Sequence, residues 1–243
     1  MTIFIIDPGH GGTDPGAVSN GLQEKDLTLD ISKRIANILK AHGIDARLTR
    51  DSDKTMSLSD RTKCANQQGA AGLVSVHINS AASSDANGLE TYVYTTDGAD
   101  SKSVKLQSDI HSSLSKLWTS HGRKDRGKKK ANLHMVREFK GAAVLVELGF
   151  IVNKIDAGLL ALDDFKQSNA EAVAGGILAY LGKPELIPEP PKTTNPVAPN
   201  DTLLRVTVEG KQVGAYSNAD NAINQASTAI KSGKKSVTIK RGN

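Results

Sequence analysis

Two histidines and two glutamates stand where this sequence makes them expensive or conspicuous. His10 lies in Asp7-Pro8-Gly9-His10-Gly11-Gly12, a turn-forming cluster directly after the apolar run Ile3-Phe4-Ile5-Ile6. His77 closes the run Leu73-Val74-Ser75-Val76-His77-Ile78. Glu24 opens a helical pattern after turn residues (Asp14-Pro15-Gly16, Asn20-Gly21), from where its carboxylate can point back toward the strand ends. Glu147 interrupts Val144-Leu145-Val146-Glu147-Leu148-Gly149-Phe150, where a charge is costly unless it is paired or used. Two histidines and a carboxylate make a three-ligand zinc site with the fourth position open to water, and a second carboxylate remains as a base. Zinc lowers the pKa of bound water from about 15.7 toward about 7. Glu147 could then take the water's proton and return it to a leaving amine.

Each residue also has a plainer reading. His10 could decorate a tight surface turn, Glu24 could complement a helix macrodipole, and Glu147 could be a salt-bridged structural acid. His10, Glu24 and His77 are separated by 14 and 53 residues, and no local HExxH motif joins them. The residues alone point to a metal hydrolase without naming its bond. His42, His111, His121 and His134 read as surface or packing residues. With six histidines and one cysteine, any metal site must be a sparse His/carboxylate one. Cys64, inside a helical pattern, reads as a small buried hydrophobe.

The elements that must position these groups alternate. Helices are expected over Lys25 to Ala41, Ser57 to Gln68, residues 101–118 and Ala170 to Leu181, from apolar residues at helical spacing such as Leu27, Ile31, Ile35 and Ile38. Strands are expected over the first run, Ile44 to Leu48, Leu73 to Ile78, Leu89 to Tyr94 and Ala142 to Leu148. This order implies an α/β fold, a largely parallel central sheet of about six strands with helices on both faces. In such sheets, ligands bind beyond the carboxyl ends of the strands. Arg123 to Lys130 (RKDRGKKK) reads as a basic loop, mainly a solvated face that could also contact an anionic peptide.

Of the eight prolines, six fall in residues 183–200, a semi-extended linker. The expected organisation is a catalytic domain over 1–182, this linker, and a small α+β module over 201–243. In the module, strands over Leu203 to Val208, Gln212 to Ala215 and Ser236 to Lys240 frame a helix over Ala219 to Ile230. Of the net charge of +5, the module supplies +4, from seven Lys/Arg against three acids. An anionic partner therefore belongs to the module, although Tyr216 is its single aromatic and no nucleic-acid-binding motif is present. So short a unit is at the limit of burying its own core, so it is expected to pair with a copy of itself or dock on a partner.

Beyond the opening run, DPGHGGTDPGA, the Glu24-Lys25 helix start and Leu58-Ser59-Asp60-Arg61 leading to Ala65-Asn66 resemble a family pattern. So do Ser75-Val76-His77-Ile78-Asn79-Ser80, Gly88-Leu89-Glu90-Thr91-Tyr92 and Val144 to Asn153. In order, over roughly residues 2–181, these blocks resemble the type 3 N-acetylmuramoyl-L-alanine amidases. The resemblance implies Zn2+ on His10, Glu24 and His77, and Glu147 as catalytic acid/base. It also implies cleavage of the amide between N-acetylmuramic acid and the L-alanine of the peptidoglycan stem peptide. Gly141-Ala142 departs from the proline that often precedes this strand in the family, which concerns strand entry and leaves the ligands untouched. The module, with Val213-Gly214-Ala215-Tyr216-Ser217, resembles the wall-binding units of phage endolysins and sporulation autolysins, including part of a SPOR-like repeat. It implies binding to peptidoglycan or to teichoic acid through 201–243.

Two rivals stay open on the residues: a zinc peptidase or deacetylase acting on another peptidoglycan bond, and a non-catalytic wall-binding protein. Neither a signal-peptide pattern nor a membrane-spanning run precedes or interrupts the strands. The expectation is cytoplasmic synthesis without membrane insertion, and action on the wall after holin-type release or lysis.

Overall fold

A computed structural model describes residues 2–183, 204–216, 226, 234 and 236–241. The chain divides into two compact units between residues 186 and 187.

The first unit is built on a six-stranded sheet. Its strands are β1 (Ile3–Pro8), β4 (Asp45–Leu48), β5 (Gly72–Asn79), β6 (Leu89–Val93), β7 (Asp125–Lys130) and β8 (Ala142–Phe150), in the order β4-β1-β5-β8-β6-β7. Every pairing is parallel except β6 with β8. The central strands β1, β5 and β8 are buried on both faces, which explains why their apolar runs barely alternate.

Helices α1 (Glu24–Ala41), α3 (Lys102–Ser120) and α6 (Asp163–Tyr180) cover one face. Ile31, Ile35, Ile110, Leu114, Trp118, Val173 and Ile177 pack there on Phe4, Ile6, Val74, Val76, Val144 and Val146. The opposite face carries α2 (Leu58–Gln67) and α4 (His134–Glu138). Its smaller apolar cluster joins Ala65, Met135, Val136 and Phe139 to Ile5, Leu73, Ala143 and Leu145. Two residues further along each strand, the period of 2 brings Asp7, Ser75 and Glu147 onto this same face. His77 follows on β5, in register with Glu147. Apolar cover ends and polar chemistry begins at one level of one face.

Several elements lay outside the expected ones, α4 among them. Arg123 to Lys130 is not simply a loop: residues 125–130 are the edge strand β7. Edge strands tolerate charge, and this one is tied to the sheet by polar contacts. Gln107 Nε2 donates to the Lys129 carbonyl at 3.0 Å and the Thr91 carbonyl at 2.9 Å. Helix α5 (Lys154–Ala161) is capped by Asn153, whose side chain accepts the N–H groups of Ile155 and Asp156. A two-residue pair, β2 (Val18–Ser19) with β3 (Leu22–Gln23), leads into α1. Helix α6 starts at Asp163, before the expected Ala170.

In the second unit, β9 (Leu204–Val208), β10 (Lys211–Tyr216) and β11 (Val237–Arg241) form an antiparallel sheet in the order β10-β9-β11. Val206 and Ala226 are buried together, with Leu204 and Val237 against them. Ala226 is helical; the rest of the helix expected over Ala219 to Ile230 lies outside the described residues, as does the expected linker past Lys183.

Candidate metal centre

Glu24 is the first residue of α1, and the β2–β3 hairpin returns the chain so that this helix starts at the sheet rim. Its carboxylate is 5% exposed and is fixed by two backbone donors, Ala17 N–H to Oε2 at 2.9 Å and Ile78 N–H to Oε1 at 3.0 Å. Oε1 also faces His77 Nδ1 at 3.0 Å and His10 Nε2 at 3.2 Å. One nitrogen from each imidazole and one Glu24 oxygen thus lie within 4.8 Å of one another. Burial opposes ionisation of Glu24, yet its hydrogen bonds to His10 and His77 outweigh that cost and hold its carboxyl well below the usual range. The Glu24 hydrogen bond pushes His10 up to about 9. Burial works against a charged His77, and Glu24 and Glu147 still raise it. The trio is a trap for positive charge.

The loop after β1 is shaped to make room for it. His10 sits at a left-handed φ of 59°, with Nδ1 held by Asp14 Oδ2 at 2.8 Å, so Nε2 turns inward. A carboxylate behind an imidazole in this way fixes its orientation and raises its basicity as a ligand. A Cβ on Gly9 would lie 2.4 Å from the His77 ring, and one on Gly16 would lie 2.6 Å from Glu24 Oε2. Two buried guanidinium groups pin the same loop. Arg50 donates to the carbonyls of Pro8 and Gly9 at 3.1 and 2.8 Å. Arg61 bonds Asp7 Oδ1 at 3.0 Å and the carbonyls of Pro8 and His10.

Glu147 stands on β8 in register with His77 on β5 and Glu90 on β6. Burial pushes its carboxyl up to about 7. Its Oε2 is shut off from solvent with no hydrogen-bond partner among the described residues. Such an orphaned oxygen is rare in a native interior. Beside a set of two imidazoles and a carboxylate, it fits a bound zinc ion with a water for the orphan to face.

The structure therefore brings His10, Glu24 and His77 together, with Glu147 next to His77 in the sheet. The remaining histidines stand apart. His42 Nδ1 meets the Ile38 carbonyl, His121 packs on the Phe165 ring, and His134 Nε2 meets Thr62 Oγ1 at 3.2 Å. His111 is buried between Thr91 and Asp125. Sequence reasoning gave no site role to Asp14, Arg50 or Glu90, and it marked Arg126 and Lys129 only as members of the basic stretch 123–130. Asp14 had a visible signal, a turn carboxylate four residues after His10; the others acquire partners only through tertiary packing.

A family profile described as N-acetylmuramoyl-L-alanine amidase matches residues 4–179. The chain is 44% identical over 179 residues to a sporulation-specific N-acetylmuramoyl-L-alanine amidase of Bacillus subtilis, covering 73% of this chain and 67% of that one. It is 42% identical over 177 residues to an endolysin of Bacillus phage SPP1, covering 72% and 65%. Among solved structures, the catalytic domain of CwlV, an N-acetylmuramoyl-L-alanine amidase from Bacillus (Paenibacillus) polymyxa var. colistinus, superposes with a TM-score of 0.70 at 34% identity. That match spans 76% of this chain and 100% of that domain.

Proposed function

The chain belongs to the N-acetylmuramoyl-L-alanine amidase family, and from that premise we propose that it hydrolyses its amide with a zinc ion held by His10, Glu24 and His77 and with Glu147 as general acid/base. The observation that carries this reading is the three convergent ligand atoms, within 4.8 Å, beside an ionisable carboxylate whose Oε2 has no partner among the described residues.

The reaction is that of the family, hydrolysis of the bond between N-acetylmuramic acid and L-alanine in peptidoglycan. Zinc in this site supplies Lewis acidity and makes water acidic enough to ionise near neutral pH. The protein's own residues do the rest. Asp14 holds the His10 ring so that Nε2 faces inward. The Ala17 and Ile78 N–H groups fix Glu24, so the ligand set is preorganised before a cation arrives. Glu147, raised to about 7 by burial, can both accept a proton from water and give it to the departing alanine nitrogen near neutral pH. With no donor on Oε2 among the described residues, the carboxylate is free to exchange that proton.

The basic module over 201–243 is proposed to hold the enzyme on its polymer, through glycan strands or teichoic acid, with a second copy of the module as the alternative partner. Seven basic residues against three acids support this, because phosphate-rich wall polymers attract such a surface over several ångströms. Among the described residues no helix is long and apolar enough to cross a membrane. We also propose action on the wall after holin-type release or lysis, in keeping with an endolysin and a sporulation-specific amidase among the relatives.

Clearing of purified Gram-positive walls, with and without a chelator, tests the chemistry. The expected result is chelator-sensitive clearing that frees alanine amines and no new reducing sugars. Clearing that ignores the chelator would overturn the zinc assignment. Release of acetate, or of an internal peptide amine, would point to a deacetylase or peptidase instead.

A further inference from the structure

Beyond Glu147 the same row continues into a charged cluster that the hydrolytic step does not use. Glu90 is the register partner of Glu147, and directly opposed residues in such a pair sit roughly 5 Å apart at Cβ. Its side chain is 4% exposed and fully satisfied: Asn79 and the Tyr92 hydroxyl donate to Oε1, Arg126 Nε to Oε2 at 2.8 Å, and Lys129 Nζ also to Oε2. Two cations meet one anion, so the cluster keeps a positive charge.

The two cations share a face because β7 bulges. Leu89 pairs with Asp125 but Thr91 pairs with Lys128, so Arg126 and Gly127 together stand opposite Glu90. Gly127 takes a φ of 87°, and its N–H is bonded to Asp125 Oδ1 at 2.7 Å. In an unbroken strand, residues 126 and 129 would face opposite ways. Bulges beside active sites commonly re-aim a side chain in this manner. Asp125, which anchors the bulge, is itself gripped by His111 and by Ser115 from α3.

The positive charge is also presented outward. Arg126 is 33% exposed and Lys129 35%. The Arg126 guanidinium lies over the Phe150 ring at 4.7 Å and donates only through Nε among the described residues. Its Nη1 and Nη2 form an unspent fork of the kind that matches a carboxylate.

We propose that Arg126, assisted by Lys129, binds a carboxylate of the stem peptide and so determines which peptidoglycan the enzyme prefers. This rests on the amidase reading, in which Glu147 returns its proton to the alanine nitrogen. The leaving peptide then lies on the Glu147 side of the site, and the next strands in that direction are β6 and β7. The second stem residue is a γ-linked glutamate with an α-carboxylate that is free or amidated. The third can carry another carboxylate when it is a diamino diacid.

Kinetics of the full-length protein on three synthetic muramoyl-tripeptides would decide it: one free at the second residue, one amidated there, and one amidated at the third. The wild type should favour the free second carboxylate by about tenfold in kcat/KM, mostly through KM, as a charge-assisted pair warrants. In R126Q that ratio should collapse toward one. A tenfold effect confined to the third residue, and lost in R126Q, supports the same carboxylate fork with the other source. A ratio near one at both positions in the wild type, or a ratio that R126Q leaves intact, overturns the proposal. If R126Q melts early, K129Q carries the test, with a smaller loss of discrimination expected. Cleavage without discrimination overturns this inference alone, whereas no cleavage of any substrate overturns the amidase reading and the inference with it.

Discussion

Asp7 and Glu147 are two acids on one face of one sheet, on strands separated only by β5, and the protein treats them in opposite ways. Asp7 is 1% exposed and every direction around it is answered: Thr49 at 2.5 Å and Arg61 at 3.0 Å on Oδ1, Ser75 at 2.7 Å on Oδ2. Glu147 has a buried oxygen with no hydrogen-bond partner among the described residues. Three donors surround the first acid because it must stay put and hold the His10 loop through Arg61. The second is left unanswered, at a cost in stability, and such a cost is sustained where a group must change protonation during turnover. Burial alone does not tell a structural acid from a working one; the count of answering donors does.

Removing Glu147 should break the chemistry and spare the fold. E147Q is expected to lower kcat by up to about 10⁴-fold, the range of general acid–base catalysis, with metal content by atomic absorption unchanged. The wild-type rate should rise with pH along a limb at or below about 7, since a cation in the neighbouring site pulls the raised Glu147 downward. Residual E147Q activity should lack that limb. Retention of full activity in E147Q would return Glu147 to the structural class.

Removing Asp7 should do the reverse. D7N leaves the Arg61 guanidinium, 3% exposed, facing a neutral amide, and breaking a buried pair from one side costs about 3–5 kcal/mol. Urea unfolding measures this directly. A loss under about 1 kcal/mol would mean that the carbonyls of Pro8, His10 and Met56 suffice to hold Arg61.

The same unfolding experiment on E147Q should move the other way, with a definite pH dependence. The folded carboxyl sits near 7 against an ordinary 4.5, so the folded state binds the proton more tightly. Glu147 therefore costs nothing below about pH 4.5, and its cost grows as pH rises, reaching about 3 kcal/mol above pH 7. In chelator-treated protein, E147Q should be more stable than wild type at pH 8 and equal to it at pH 4. Lower stability at pH 8 would show that Oε2 is answered after all.

The contrast also explains which parts of the site could be read from the sequence. His10 was visible because it directly follows an apolar strand, and His77 and Glu147 because each interrupts one; strand runs follow from side-chain period alone. Glu24 was visible from a helix start. Arg50 was not: a charged residue just after a strand looks solvated, and only the meeting of two loops buries it. Strand β7 was invisible for a related reason. DRGKKK has no apolar residue to alternate, and its place in the sheet depends on polar bonds from Gln107, His111 and Ser115 of the preceding helix α3, which no side-chain period announces. The sheet, its two covered faces and the convergence of His10, Glu24 and His77 beside Glu147 were legible; the polar tethers that set the last strand were not.

Glu90 lies between the two cases and gives the smallest effect. Like Asp7 it is buried and fully bonded; unlike Asp7, its cationic partners Arg126 and Lys129 are about one-third exposed. When the carboxylate goes, those side chains can turn to water instead of remaining stranded, so the penalty is that of the lost bonds and not of an uncompensated buried charge. E90Q should cost about 1–2 kcal/mol by urea unfolding, less than D7N and of opposite sign to E147Q. Salt should narrow the difference between E90Q and wild type, since the partners are exposed, and leave the D7N penalty nearly unchanged. A penalty for E90Q equal to that of D7N would mean that Arg126 and Lys129 are locked as tightly as Arg61, and a locked guanidinium has no fork to offer a substrate.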